Sequence, residues 1–314
     1  MIYSVDFMDV AEKIKPFALI RYLTNTGWFS FPTKKTYVKI FQWNDGKEFY
    51  QVTIPIDKTL GDYKLAMYKA VETVSRKEKR SMEQVTLHLL NPNADILKIR
   101  IEKPGIEVGN ILFDDAIRLY ENARKLIAAA AMDIINPQMY HEGRIDDIVL
   151  RLLADCKFGQ TEIGSYVVSM VCPFAEWDEV RGYRQLSIFS NEEQCAESLT
   201  RKITNRVMRN ISMVKKWVEE GDTQRLTELK NQDIISADFI EALSGLNLEF
   251  ENTSIEFIAE WSPVVKNKEY VQNNILLTHD YYQPITTVVE RLKEEPPKES
   301  KVFGGIKKKP KRSL

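Results

Sequence analysis

Apolar residues recur every three or four positions along some stretches of the chain and every second position along others, and the change of period lays out the elements. Over residues 9–25, Val10, Ile14, Phe17, Ile20 or Arg21, and Tyr22 or Leu23 fall at helical spacing, with Asp9 placed to cap the start, Gly27 to stop the end and Pro16 to bend the middle. Tyr37, Lys39, Phe41 and Trp43 then alternate with Val38, Ile40 and Gln42, Asn44-Asp45-Gly46 supplies a hairpin turn, and Phe49 to Ile54 reads as the returning strand. Tyr63, Ala66, Met67, Ala70, Val71 and Val74 put a second helix over residues 62–80.

The first 80 residues therefore read helix, two or three strands, helix. The double-stranded RNA-binding domain shares that order and sets lysines at the opening of its second helix, across a phosphate groove. Here Gly61-Asp62 opens the helix while Lys77, Lys79 and Arg80 lie at its far end, so a plain packing module and an RNA-binding one both stand.

Two strands are predicted next, Val85 to Leu90 and Ile96 to Ile101, parted by Asn91-Pro92-Asn93. An alanine-rich helix follows over Asp114 to Ile135, where Ala128 to Ala131 lets a neighbour approach closely, then a short one over Ile145 to Ala154. Ser165 to Val171 is a continuous apolar strand with Tyr183 to Phe189 as its antiparallel partner, and Asn191 begins a long helical region to Glu220. Helix Ala237 to Leu243, strands Ser254 to Trp261 and Asn273 to Leu277, and helix Ile285 to Lys293 complete the folded part, which is expected to end near Glu294.

The fold class predicted is α+β: a small N-terminal helix-strands-helix module with a strand extension over 1–105, then a larger mixed α+β domain over 106–295 with a long amphipathic helix near 192–220. Residues 296–314 are expected to be a disordered basic tail, because Lys307, Lys308, Lys309, Lys311 and Arg312 repel one another with almost nothing apolar to bury.

Composition narrows the class. A chain of 314 residues, 44% hydrophobic and 28% charged, can bury a full core, and no apolar run is long enough to span a bilayer. Met1 opens an acidic-polar segment unlike a signal peptide, so a cytoplasmic protein without membrane attachment is expected. Cys156, Cys172 and Cys195, without C-x-x-C spacing, read as reduced packing thiols.

Catalytic chemistry finds little support. The glycines of 159–165 lack the lysine and the helix of a phosphate-binding loop. His88, His141 and His279 form no metal-binding pair, no G-x-S-x-G elbow exists, and Asp114-Asp115 and Asp146-Asp147 are explained as helix starts. No cofactor, metal or catalytic residue is predicted. An enzyme is left as a site assembled from distant residues, with His279, Asp280 and the 159–165 turn as its material.

Charge is more telling. The net of −1 divides into +5 over residues 1–80, −12 over 81–297 and +6 over 298–314. At 100° per residue, Lys202, Arg206, Arg209 and Lys216 share one side of the long helix, opposite Ile203, Val207, Ile211 and Val214. Such a stripe, with the tail cations Lys307, Lys308, Lys309, Lys311 and Arg312, suits a phosphate backbone. The expected partner is nucleic acid, DNA or RNA, or else a protein subunit docked on the acidic body.

Tyr22-Leu23 with Gly27-Trp28, Pro55 with Asp62-Tyr63, Gly159-Gln160-Thr161 with Gly164-Ser165-Tyr166-Val167-Val168, and Ser236-Ala237 with Glu241-Ala242-Leu243 together resemble a diffuse family of uncharacterised bacterial proteins, over residues 18–306. The resemblance implies a bacterial cytosolic accessory protein, from a mobile or antiviral defence locus, and carries no activity. Relatives of that pattern continue past Phe303-Gly304-Gly305 into a β-rich segment, where this chain has its lysines.

Overall fold

A computed structural model describes residues 7–102, 110–159, 166–174, 198–222, 234–247, 253–263, 265 and 270–294. Among them the chain is mixed α+β, with nine helices and two antiparallel sheets, as its periodicity predicts.

The first sheet is built from α1 (Phe7–Lys13), α2 (Pro16–Asn25), β1 (Phe29–Phe31), β2 (Val38–Asn44), β3 (Phe49–Pro55) and α3 (Tyr63–Glu78). The single bent helix predicted over 9–25 is two helices. A proline has no N–H for the preceding turn, so α1 ends and α2 opens on Pro16, at a position whose N–H would be idle anyway. Asp9 lies inside the first turn of α1 and pairs with Lys64 instead of capping. β2 is the middle strand, with Phe41 opposite Ser30 on one side and Val52 on the other. Phe41, Val52 and Ile54 join Leu19, Leu23, Met67, Val71 and Val74 in a core between the sheet and its helices.

Residues predicted as a strand over Val85 to Leu90 form a helix, α4 (Met82–Leu90). Ser81 closes its start with a capping box: the Ser81 hydroxyl accepts the Gln84 N–H at 3.2 Å, and the Gln84 side chain accepts the Ser81 N–H at 3.2 Å. Val85 and Leu89, four apart on one face, fill the first core.

The second sheet has the order β5-β6-β4-β7-β8, from β4 (Ala94–Glu102), β5 (Lys157–Phe158), β6 (Tyr166–Pro173), β7 (Ser254–Glu260) and β8 (Asn274–Thr278). Leu97, Ile99, Val168, Met170, Ile255 and Phe257 face a larger core completed by α5 (Phe113–Ile135), α6 (Asp147–Asp155), α7 (Leu199–Glu219), α8 (Ala237–Ser244) and α9 (His279–Glu294). α9 begins at His279, six residues before the predicted start, because β8 runs straight into it, and it tolerates Pro284 in its second turn. The predicted strand Tyr183 to Phe189, the helical start at Asn191 and the basic tail lie outside the described residues. No helix of the described residues is long and apolar enough to cross a membrane.

Two ionic networks fix the middle of the second sheet. Arg201 of α7 grips Asp95 of β4 through Nε and Nη2, both at 2.7 Å, with neither side chain exposed to solvent. Its other N–H groups donate to the carbonyls of Val265 and Ser262, and the rings of Phe174 and Trp261 flank the guanidinium at 5.5 Å each. On the opposite face, Glu260 of β7 receives Lys98 Nζ at 2.7 Å, Arg80 Nη2 at 2.7 Å and His88 Nδ1 at 3.4 Å. Arg80 also holds Glu78, to which the Tyr22 hydroxyl donates at 2.6 Å, so this cluster ties the first core to the second sheet.

Candidate nucleic-acid interface

Strand register decides what the first sheet shows to solvent. Because side chains alternate between faces, the residues paired in the rows Phe29, Gln42, Gln51 and Phe31, Ile40, Thr53 point away from α2 and α3, as do Asn44 and Phe49. Among the described residues no helix covers them. Phe29, Phe31 and Phe49 are 71%, 49% and 59% exposed. Between the rings stand hydrogen-bonding side chains: Gln42 Nε2 donates to Gln51 Oε1 at 2.9 Å, with Thr53 and Asn44 beside them. The outward positions carry no charge at all.

Cations bracket this face at its ends. Lys34 and Lys35 occupy the loop between β1 and β2, Lys58 follows β3 at the same end, and Lys47 stands in the hairpin at the other, all four exposed. Lys35 Nζ lies 5.9 Å from the centre of the Tyr37 ring. The hairpin owes its shape to Gly46, whose φ of +86° favours glycine, and to Asp45 Oδ1, which accepts the N–H groups of Lys47 and Glu48. Those bonds hold the Asp45 carboxyl below its usual range. Asp57 is occupied in the same way by Thr59. Aromatic faces, amide edges and peripheral lysines are the groups that take up unpaired bases and their phosphates.

The predicted stripe lies along the less buried side of α7, opposite the buried Ile203, Val207, Ile211 and Val214. Lys202 is exposed; Arg206 and Arg209 are half-buried and engaged in contacts; Lys216 Nζ lies 3.7 Å from Glu220. More than half of α7 is buried, and Arg201, next to the stripe, is the buried partner of Asp95. Lys307, Lys308, Lys309, Lys311 and Arg312 lie outside the described residues. The phenylalanines of the open face escape sequence reading because pattern rules send large apolar residues inward. The available signal was Phe29-Ser30-Phe31, two rings at strand spacing directly after a helix stop.

Of the material suggested for an enzymatic site, residues 160–165 lie outside the described residues. Gly159 follows β5 and His279 follows β8, and these are the two outer strands of the sheet, about 19 Å apart at a strand spacing near 4.8 Å. A different histidine has more company. His141 Nε2 lies 2.9 Å from Asp133 Oδ1, and Asp133, fully buried, also accepts from Asn210 and the Ser236 N–H. The imidazole borders a cavity of about 290 Å³ with Lys125, Met132, Glu142, Asp238 and Ala242. Its Nδ1 has no hydrogen-bond partner among the described residues. That geometry fixes a tautomer, yet no hydroxyl or thiol stands in the lining to be activated. No group of three His, Cys, Asp or Glu among the described residues is placed to hold a metal ion.

Comparison with family models, with curated proteins and with solved structures gives no match. What the chain does is therefore to be read from its own side chains.

Proposed function

We propose that this protein is a non-enzymatic, nucleic-acid-binding accessory protein of the bacterial cytoplasm, of the kind a defence locus encodes, and that it holds single strands on the open face of β1, β2 and β3. The observation that carries this reading is the three exposed phenylalanines on an uncharged sheet face with lysines at both ends. A duplex buries its base faces and offers such rings nothing, whereas a single strand stacks its bases on them. A protein partner would also use aromatic anchors, but the surrounding cations and the lysine-rich C-terminal sequence favour a polyanion.

Fluorescence anisotropy with a labelled single-stranded oligonucleotide tests the proposal. The full chain should bind it in preference to the matching duplex. Phe29→Ala, Phe31→Ala and Phe49→Ala should each weaken binding by roughly 5- to 150-fold, the equivalent of about 1–3 kcal/mol per stacked base. Their thermal melting should stay near that of the parent, since the rings are exposed. Equal binding by parent and triple variant would overturn the assignment, and self-association abolished by the same variant would hand the face to a second copy.

A further inference from the structure

Pairing of β5 with β6 sets Lys157 opposite Val171 and Phe158 opposite Met170, and the Gly159 N–H donates to the Ser169 carbonyl at 2.7 Å. Antiparallel ladders alternate between pairs that exchange hydrogen bonds and pairs that do not. Counting back from Gly159 and Ser169, the residue just before β5 brings Cys156 opposite Cys172 at a non-bonded site, where Cα atoms approach to about 4.5 Å and side chains meet. Cys156 ends α6 in an extended conformation, φ −67° and ψ 144°, so the strand direction already holds there. Both side chains pack on the larger core, and Cys172 Sγ donates to the Met170 carbonyl at 4.0 Å. A disulfide spans such a separation.

The two sulfurs differ in access. Cys172 is 1% exposed, while Cys156 is half-buried and lines a small cleft with Arg124, Lys157, Phe158 and Met170. The neighbouring Cys156 thiol, then burial, pushes the Cys172 thiol well above its ordinary range, so it is the poorer first nucleophile.

We propose that Cys156 and Cys172 form a redox site at the edge of the second sheet, which a peroxide converts to an intramolecular disulfide tying the end of α6 to β6. The sulfur of Cys156 attacks one peroxide oxygen, the O–O bond breaks, and the departing oxygen leaves as water with the thiol proton, giving a sulfenic acid. The sulfur of Cys172 then attacks that of Cys156, the S–O bond breaks, and the hydroxyl leaves as a second water with the proton of Cys172. Two thiols are oxidised and one peroxide is reduced. A small thiol reverses the bond by exchange.

Full-length protein carrying Cys195→Ser, in which Cys156 and Cys172 are the remaining thiols, tests this with equimolar hydrogen peroxide. Both free thiols should disappear, the intact mass should fall by two hydrogens, a digest should yield one peptide pair joined through Cys156 and Cys172, and dithiothreitol should restore the start. In the same background Cys156→Ser, a change at a half-buried position, should keep its single Cys172 thiol through the same exposure. Mass gain by one or two oxygens on Cys156 with Cys172 still free, a disulfide between two molecules, or two unreacted thiols would each overturn the proposal.

Discussion

Three basic side chains, Arg80, Lys98 and His88, converge on the one carboxylate of Glu260. Burial alone would raise that carboxyl. The hydrogen bond from His88 and the charges of Arg80 and Lys98 outweigh it and bring it down from 4.5 to about 2. A carboxylate depressed by folding contributes stability that is complete above its unfolded value and is lost as pH falls through the folded one. Urea unfolding should therefore show the contribution intact above about pH 4.5 and draining toward pH 2. Glu260→Gln should cost about 3 kcal/mol at neutral pH, since it removes the carboxylate charge that the buried Lys98 and Arg80 share. The same substitution should flatten the acid limb, and an unchanged limb would move the acid sensitivity to another carboxylate. Little of this was legible in the chain. Lys98 and Glu260 are 162 residues apart, Asp95 and Arg201 106, and no local pattern announces pairs made by strand neighbours or by a helix laid across a strand. A charged residue in an apolar run, as with Asp95 and Lys98 inside β4, was the one hint that a partner must arrive from elsewhere.

At the scale of elements the sequence is far more readable, and its failures have physical causes. α3, α5 and α8 repeat apolar residues on one face over two or more turns, so period alone places them. α4 is nine residues long and rich in β-branched and apolar side chains, a length at which strand and helix patterns overlap; only the Ser81 and Gln84 capping pair separates them. Ser81→Ala should accordingly cost about 1 kcal/mol in chemical unfolding. Close approach of α5 and α8, expected from the alanines of α5, depends also on Gly245 at the end of α8. A Cβ there would sit 2.5 Å from Asn122 Oδ1, while Asn122 Nδ2 donates to the Gly245 carbonyl at 3.0 Å. Gly245→Ala should destabilise by about 1–3 kcal/mol through this overpacking. Retention of the parent's unfolding midpoint would mean that the buried Asn122 side chain gives way freely.

For the whole molecule, the distribution of charge sets how binding should respond to salt. The first 80 residues carry +5 and the last 17 carry +6, with −12 between them. On the proposed function, a polyanion should be repelled by the middle of the chain and held near either end. Stacking and ion release respond to different substitutions, which lets them be separated. Replacing Lys34, Lys35 and Lys47 together by Gln should reduce the slope of log affinity against log salt by about two, at roughly 0.7 per phosphate contact on a single strand. Phe29→Ala should lower affinity at every salt concentration and leave that slope alone. Truncation after residue 297 should lower the slope as the lysine variant does, without altering the preference for single strands over duplex, because the tail supplies charge and no ring except Phe303. Anisotropy titrations between 50 and 200 mM salt, the range over which such contacts change affinity by orders of magnitude, read all three. If truncation abolished the single-strand preference, recognition would reside in the C-terminal segment and the open sheet face would lose its role.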